Sequence, residues 1–310
     1  MSHALAASKR LRVTTLILVT VLVIPAKSFA CACGCGVFDV STSGMLPTQE
    51  GGVAWLEYDF MNQDRNWSHS SSSASANNDD KDIKTSFFTA GAQYMFSRSW
   101  GSEVEVPYWD RHFTTTDDSG NVGSFNHDAF GDVRIKGIYS GFSPDMSSGV
   151  TFGLKLPTGD WHYVNFDRDT SIGTGSTDIL LGAYHQGNFA GSWNWFANGE
   201  LDQPFLIRAD YRPGAEVDAV SGVYYNGWSI GNVKIAPVAQ VIGSYRLHDN
   251  GLAANPQNSG YERILLSPGI EADMAGMRVY GDVEVPLYQY VRGNQLTANV
   301  LFKVNVSRSF

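Results

Sequence analysis

From Gly51 to Phe310 apolar residues recur at almost every second position, and no window of twelve or more residues holds a 3.6-residue stripe. A period of two sends alternate side chains to opposite faces of an extended chain, so the body of the protein is read as all-β. Candidate strands are 51–62, 82–96, 99–114, 127–142, 147–158, 175–189, 191–204, 212–226, 229–247, 259–273, 275–289 and 295–310. Twelve is an even number, as antiparallel closure with both ends on one side requires.

The connections alternate in length. Short ones fall at Ser97-Arg98, Ser143 to Met146, Ala190, Gly227-Trp228 and Met274, and long polar ones at 63–81, 115–126, 159–174, 205–211, 248–258 and 290–294. A soluble sandwich has no reason to gather every long loop at one end of a meander, whereas an outer-membrane barrel has short periplasmic turns and longer extracellular loops. The predicted architecture is therefore a transmembrane antiparallel up-and-down β-barrel of about 12 strands, spanning residues 51–310.

The strand faces agree. Leu296, Ala298, Val300, Phe302, Val304 and Val306 alternate with Thr297, Asn299, Leu301, Lys303, Asn305 and Ser307. Val233, Ile235, Pro237, Ala239 and Val241 oppose Lys234, Gln240, Ser244 and Arg246, and Val279, Val283, Val285 and Leu287 oppose Arg278, Asp282 and Glu284. A charge facing lipid at the midplane costs about 2–4 kcal/mol, so the charged parity is assigned to the lumen. Strands of 12 to 19 residues exceed the span needed to cross a bilayer at a tilt. Trp100, Tyr108, Trp109, Trp193, Trp195, Tyr224, Tyr225, Trp228, Tyr288 and Tyr290 lie near predicted strand ends, where aromatic girdles are expected. The terminal Phe310 resembles the C-terminal aromatic by which the barrel assembly machinery reads bacterial outer-membrane barrels.

The N-terminus reads as a secretory leader. Lys9, Arg10 and Arg12 precede an apolar run from Val13 to Ile24, and Ser28-Phe29-Ala30 offers a cleavage site before Cys31. The run would span only about 18 Å as a helix, short of a hydrocarbon core of roughly 30 Å. The expected parts are a signal peptide over 1–30, a periplasmic Cys-containing segment over 31–50, and the barrel. The leader holds four of the 22 bases and none of the 31 acids, so the mature chain has 18 bases against 31 acids, a charge of -13. That balance excludes nucleic acid as a partner and a cationic surface helix as the mode of membrane contact. The expected partners are outer-membrane lipid, the assembly machinery and a small-molecule solute, with the chain acting as a monomer in the outer membrane of a Gram-negative bacterium.

Inward parity assigns to the lumen the acids Glu57, Asp59, Glu103, Glu105, Glu200, Asp202, Glu216, Asp218, Glu271, Asp282 and Glu284, and the bases Arg134, Lys136, Lys155, Lys234, Arg246, Arg263, Arg278 and Lys303. Isolated charges in a narrow lumen would neutralise, so most are expected to pair across it. Twelve strands enclose much less than a general porin. The functional expectation is a selective channel for passive passage of small solutes; a filled, non-conducting structural barrel is the alternative.

Leu156-Pro157-Thr158-Gly159-Asp160, followed across a loop by Gly173-Thr174-Gly175-Ser176-Thr177-Asp178, resembles the outer-membrane family assigned to the meta pathway of phenol degradation. The resemblance implies passage of small compounds, often aromatic or apolar, and supplies no catalytic or ligand residues. The physical alternative is that Thr, Gly and Asp here cap strands and close a rim loop.

Cys31, Cys33 and Cys35 form a Cys-x-Cys-x-Cys run ahead of the first strand. Three soft thiolates on a Gly-containing segment suit Cu(I) or Zn(II), while an oxidising periplasm favours disulfides; a metal-binding or redox-linked barrel is thus a further alternative, and no other cofactor is expected. Cys31 as a lipidation site lacks Leu three positions before it, where Ser28 stands. Asp160, Asp167, Asp169 and Asp178 crowd one predicted outer loop in a spacing that closes no Ca²⁺ ligand set. An outer-membrane lipase reading would need His-x-Ser on a strand, and the chain's His69-Ser70-Ser71 falls in a low-complexity loop, so no enzyme is expected.

Overall fold

The computed structural model describes residues 46–117 and 119–310. The predicted leader and Cys31, Cys33 and Cys35 lie outside the described residues. The strands follow in order as β1 Gly51–His69, β2 Ser71–Ser72, β3 Asp80–Met95, β4 Trp100–Thr116, β5 Val122–Phe130, β6 Val133–Tyr139, β7 Ser148–Leu156, β8 Thr177–Ala190, β9 Trp193–Leu206, β10 Glu216–Tyr225, β11 Trp228–Ile230, β12 Val233–Arg246, β13 Tyr261–Met274 and β14 Met277–Ser309.

Eleven of these close a ring of antiparallel ladders, β1-β3-β4-β6-β7-β8-β9-β10-β12-β13-β14 and back to β1, while β2, β5 and β11 extend individual ladders. The last strand doubles back: 277–291 pairs with β13 and 291–309 with β1, with Gly293 at φ +69 near the bend. The two arms lie side by side, so that a Cβ on Gly281 would sit 3.6 Å from the Lys303 carbonyl oxygen. The chain therefore crosses the wall twelve times, and closure pairs each of the eleven ring strands on both sides. Phe310 extends the seam, its N–H donating to Gly52 O at 2.9 Å and its carbonyl accepting from Gly52 N at 2.8 Å.

Gly51 and Phe310 share one end of the barrel with the short turns. At the turn between β13 and β14, Ala275 and Gly276 both take positive φ, 53 and 82, the geometry that matches a two-residue hairpin to strand twist. The longer connections 70–79, 157–176, 207–215 and 247–260 gather at the opposite end. One predicted long loop, 115–126, is instead a tight hairpin: β4 and β5 run on to Thr116 and Val122. Asp117 closes the turn by accepting from the backbone N–H of Asn121 at 2.9 Å and of Ser119 at 2.8 Å, and these bonds, that of Asn121 first, hold its carboxyl below the usual range.

The outer face is apolar, with Leu56, Phe88, Phe152, Leu181, Val241, Val285, Phe302, Val304 and Val306 all exposed. Aromatic contacts ring the short-turn end, with Trp100 against Tyr139 at 4.8 Å, Tyr139 against Phe142 at 5.0 Å and Trp193 against Tyr225 at 5.1 Å. Trp109 and Tyr224, expected in aromatic girdles near strand ends, instead pack against the interior cluster that contains Phe87 and Phe196. The lipid-face reading of the last strand also needs correction. Phe302, Val304 and Val306 point outward, but Leu296 and Ala298 are buried, because the pairing of β1 with β14 shifts register between Met61 and Gln63 and exchanges the faces beyond it.

The predicted strand 127–142 is interrupted at Gly131-Asp132, between β5 and β6. Pro107 of β4 stands opposite this gap, and a proline has no N–H to give the ladder; its carbonyl accepts from Gly131 N at 2.9 Å.

Candidate functional site

Residues directly opposite one another in a ladder share a face, so the inward parity of each strand builds columns of charge around the interior. Glu103 faces Lys136, Glu105 faces Arg134, Arg134 faces Lys155, and Lys155 faces Asp178 along four consecutive strands. The side chains join accordingly. Lys136 Nζ lies 2.7 Å from Glu103, 3.3 Å from Glu105 and 3.3 Å from Glu200, while Arg134 reaches Glu200 at 3.2 Å and Asp202 at 3.7 Å. Lys155 pairs with Asp202 at 2.8 Å and with Asp178.

A second network spans β1, β12, β13 and β14. Lys303 Nζ lies 3.3 Å from Glu57 and 3.6 Å from Asp59, and Asn305 donates to Glu57 at 3.0 Å. Asp282 accepts from Tyr280 at 2.6 Å, Ser267 at 2.7 Å and Gln240 at 3.1 Å, and Glu284 beside it is buried. Arg263 lies over the ring of Tyr261 at 5.1 Å. Towards the long-loop end Arg246 pairs with Asp249 at 2.7 Å and Glu216 at 3.9 Å, and Asp218 accepts from Ser244. Arg278 pairs with Asp273 at 3.0 Å near the short-turn opening, where Lys234 and Glu271 line the same hollow. Asp178, read from the sequence as a loop acid, joins these networks through Lys155.

One sector of the interior is apolar. Phe87 and Trp109 meet edge to face at 4.8 Å, and with Pro107 and Ile172 they bound an open space whose other walls include Asp59, Glu105, Arg134, Lys155, Asp202 and Glu216. An aromatic wall opposite paired charges offers dispersion contact to an apolar ring and hydrogen bonds to a polar edge.

The roof of this space is the connection 157–176, which was expected outside the barrel. It folds inward: Phe166, Asp169, Thr170, Ser171, Ile172, Gly173, Gly175 and Ser176 are all buried. The two motifs at its ends clasp each other. A Cβ on Gly173 would stand 2.5 Å from the Gly159 carbonyl carbon, and Gly173 N donates to Asp160 O at 2.8 Å, so only glycine permits this approach. Asp132, freed by the strand break, accepts from Gly159 N at 2.9 Å and from Thr174 N at 2.7 Å and Oγ1 at 2.6 Å. Further along, Phe166 packs on Ile83, Phe113 and Leu296, Arg111 donates to Thr170 O, and Arg168 lies 4.4 Å over the ring of Tyr211. The missed signal was apolar content, Trp161, Tyr163, Phe166 and Ile172, inside a stretch read as polar.

The four loop acids do not converge. Asp160 meets His127 Nε2 at 3.0 Å, Asp178 joins Lys155, and Asp167 and Asp169 act on Asp80 at the start of β3. At the other end of the barrel Leu46 is buried among Met95, Ile138 and Met146, and Gln186 donates to Pro47 O at 3.1 Å.

No protein-family description matches the chain, and no curated relative does. Solved structures do. The chain is similar to the COG4313 outer membrane channel from Pseudomonas putida F1, at 14% identity and TM-score 0.67, over 88% of this chain and 100% of that one. It is also similar to the beta domain of the Bordetella autotransporter BrkA, at 13% identity and TM-score 0.53, over 84% of this chain and 100% of that one. At such identities the likeness is one of fold: the chain is built as outer-membrane β-barrels are.

Proposed function

We propose that the chain is an outer-membrane channel for passive passage of small solutes with an apolar, often aromatic, face. The observation that carries this reading is the interior space beneath the inward connection, walled by Phe87, Pro107, Trp109 and Ile172 on one side and by paired charges on the other. Because Arg134, Lys136, Lys155 and Lys303 each already hold carboxylates, the interior offers an ion little net attraction. A neutral solute gives up little hydration on entering, and the aromatic wall returns part of that by contact. The charged side chains from Glu57 to Lys303 on the inner parity line the path in this reading, and the inward connection sets its width.

The test uses the folded protein in planar bilayers. Wild type is expected to carry a small ion current that falls when a neutral small aromatic such as phenol is added, and Trp109→Ala is expected to blunt that block. A current indifferent to phenol in both proteins would overturn the aromatic reading. No current in either, where a general porin conducts, would favour the filled structural barrel.

A further inference from the structure

At the seam of the barrel the outward apolar rows of β1 and of both arms of β14 end close together. Phe60 stands directly opposite Phe302, and on the short-turn side of this pair Leu56, Val304 and Val306 are exposed, as are Val283, Val285 and Leu287 on the rising arm of β14. Just beyond them, towards the long loops, lie Arg65, Asn299 and Tyr288, all exposed, which with Trp67 and Leu287 line a groove in the outer wall. Arg65 is oriented there without being neutralised. Its Nη1 donates to Asn299 Oδ1, and its guanidinium lies over the Trp67 ring at 5.1 Å. Asp64 beside it accepts from Asn62 at 3.2 Å, and Glu262 accepts from the Tyr288 hydroxyl at 3.4 Å. Among the described residues Arg65 forms no ion pair, whereas Lys84, opposite Asn62 on β3, is paired with Asp82 at 2.7 Å. Tyr290 and Arg292 follow Tyr288 at every second position along the same arm, and Arg292 is exposed and likewise forms no ion pair among the described residues.

A guanidinium forks its N–H groups onto phosphate oxygens, and aromatic rings at the edge of an apolar band sit at the depth of lipid headgroups. We propose that this groove binds a phosphorylated glycolipid of the outer leaflet, with a phosphate on Arg65, its sugar against Trp67 and Tyr288, and its acyl chains along Leu287 and Phe302. A glycolipid fits better than a glycerophospholipid because a second base, Arg292, stands farther from the apolar band in the row begun by Tyr288, which suits a taller headgroup with more than one phosphate. The orientation of Arg65 costs little on binding, since Trp67 and Asn299 already hold the side chain. The groove lies on the outer wall, away from the interior space, so its occupancy does not require that the barrel conduct; it does require that the long loops face outward.

The test is native mass spectrometry of the full mature protein, folded in detergent and freed of lipid, with purified lipid A as the probe. Wild type is expected to hold lipid A at about one per chain, Arg65→Glu to lose it, and Arg65→Lys to keep a weakened share, since a point charge replaces the fork. Arg98→Glu, the same change of charge at an exposed position on the short-turn side, should bind as wild type does. Every variant is checked for heat-modifiability, and the milder Arg65→Gln, expected to lose binding as well, stands in should Arg65→Glu not fold. Lipid A should also raise the melting temperature of wild type and leave that of Arg65→Gln unchanged. Equal binding by Arg65→Gln, or equal binding of dephosphorylated lipid A, would overturn the proposal. So would equal binding of phosphatidylglycerol, and displacement of lipid A by inorganic phosphate alone would show a site for a free anion instead of a lipid.

Discussion

Arg134 stands at a junction of columns, opposite Glu105 on β4 and Lys155 on β7 and within reach of Glu200 and Asp202 on β9. Four carboxylates, Glu103, Glu105, Glu200 and Asp202, are shared there by Arg134, Lys136 and Lys155, with Asp178 as a fifth acid at the margin. Taking one base away shifts the local balance further towards acid, which concentrates cations along any water-filled path beside it. Arg134→Ala is therefore expected to move the reversal potential in a salt gradient towards cation preference, and Arg134→Lys to keep it near wild type. Measurable conductance with no change of selectivity in Arg134→Ala would place that side chain away from the path.

At the scale of elements, the decisive piece is the inward connection and the strand break that anchors it. Pro107 cannot donate to the ladder, the chain parts at Gly131-Asp132, and the freed Asp132 carboxylate binds both ends of the 157–176 segment. Thr158 adds a second tie, its hydroxyl donating to Gly131 O at 3.1 Å and accepting from Val133 N at 2.9 Å. Removing the Asp132 acceptor leaves the N–H groups of Gly159 and Thr174 without a partner, at about 1–3 kcal/mol for each that stays buried. Asp132→Ala is expected to raise the undocked fraction of the connection by about tenfold or more, since about 1.4 kcal/mol is tenfold. Limited trypsin digestion after Arg168 reads this directly. Cleavage at the wild-type rate, in a barrel still heat-modifiable, would show that the clasp does not hold the connection down.

For the whole molecule, closure sets everything else. The β10–β12 and β1–β14 ladders complete the ring, so each of its eleven strands is paired on both sides and the outward parity presents an apolar face. Both ends of the barrel chain fall on the short-turn side, with Gly52 and Phe310 exchanging two backbone hydrogen bonds. With that side periplasmic, Ser72 and Asn165, both exposed at the long-loop end, are expected to react with a membrane-impermeant thiol reagent on intact cells once changed to cysteine. Gly227→Cys, exposed at the other end, should react after permeabilisation alone. The reverse pattern would invert the orientation.

Period-two patterning was enough to recognise the antiparallel barrel and most of its strands, because a side chain's face follows from position along its own strand. Where a bulge intervenes, that local rule fails, and Leu296 and Ala298 changed faces for a reason that lies in the register of β1 against β14. The inward connection was out of reach of sequence reading for a similar reason. Its polar groups read as solvated, and whether they meet water or protein depends on Asp132, Arg111 and Thr158, which the chain brings together through pairings of distant strands. Asp178 shows both sides of this. It looked like one acid among four in a loop, and the β7–β8 register made it the partner of Lys155. Local alternation determines what each strand shows to lipid and lumen; only closure of the ring decides which of those side chains meet, since partners on opposite walls are joined by no local signal.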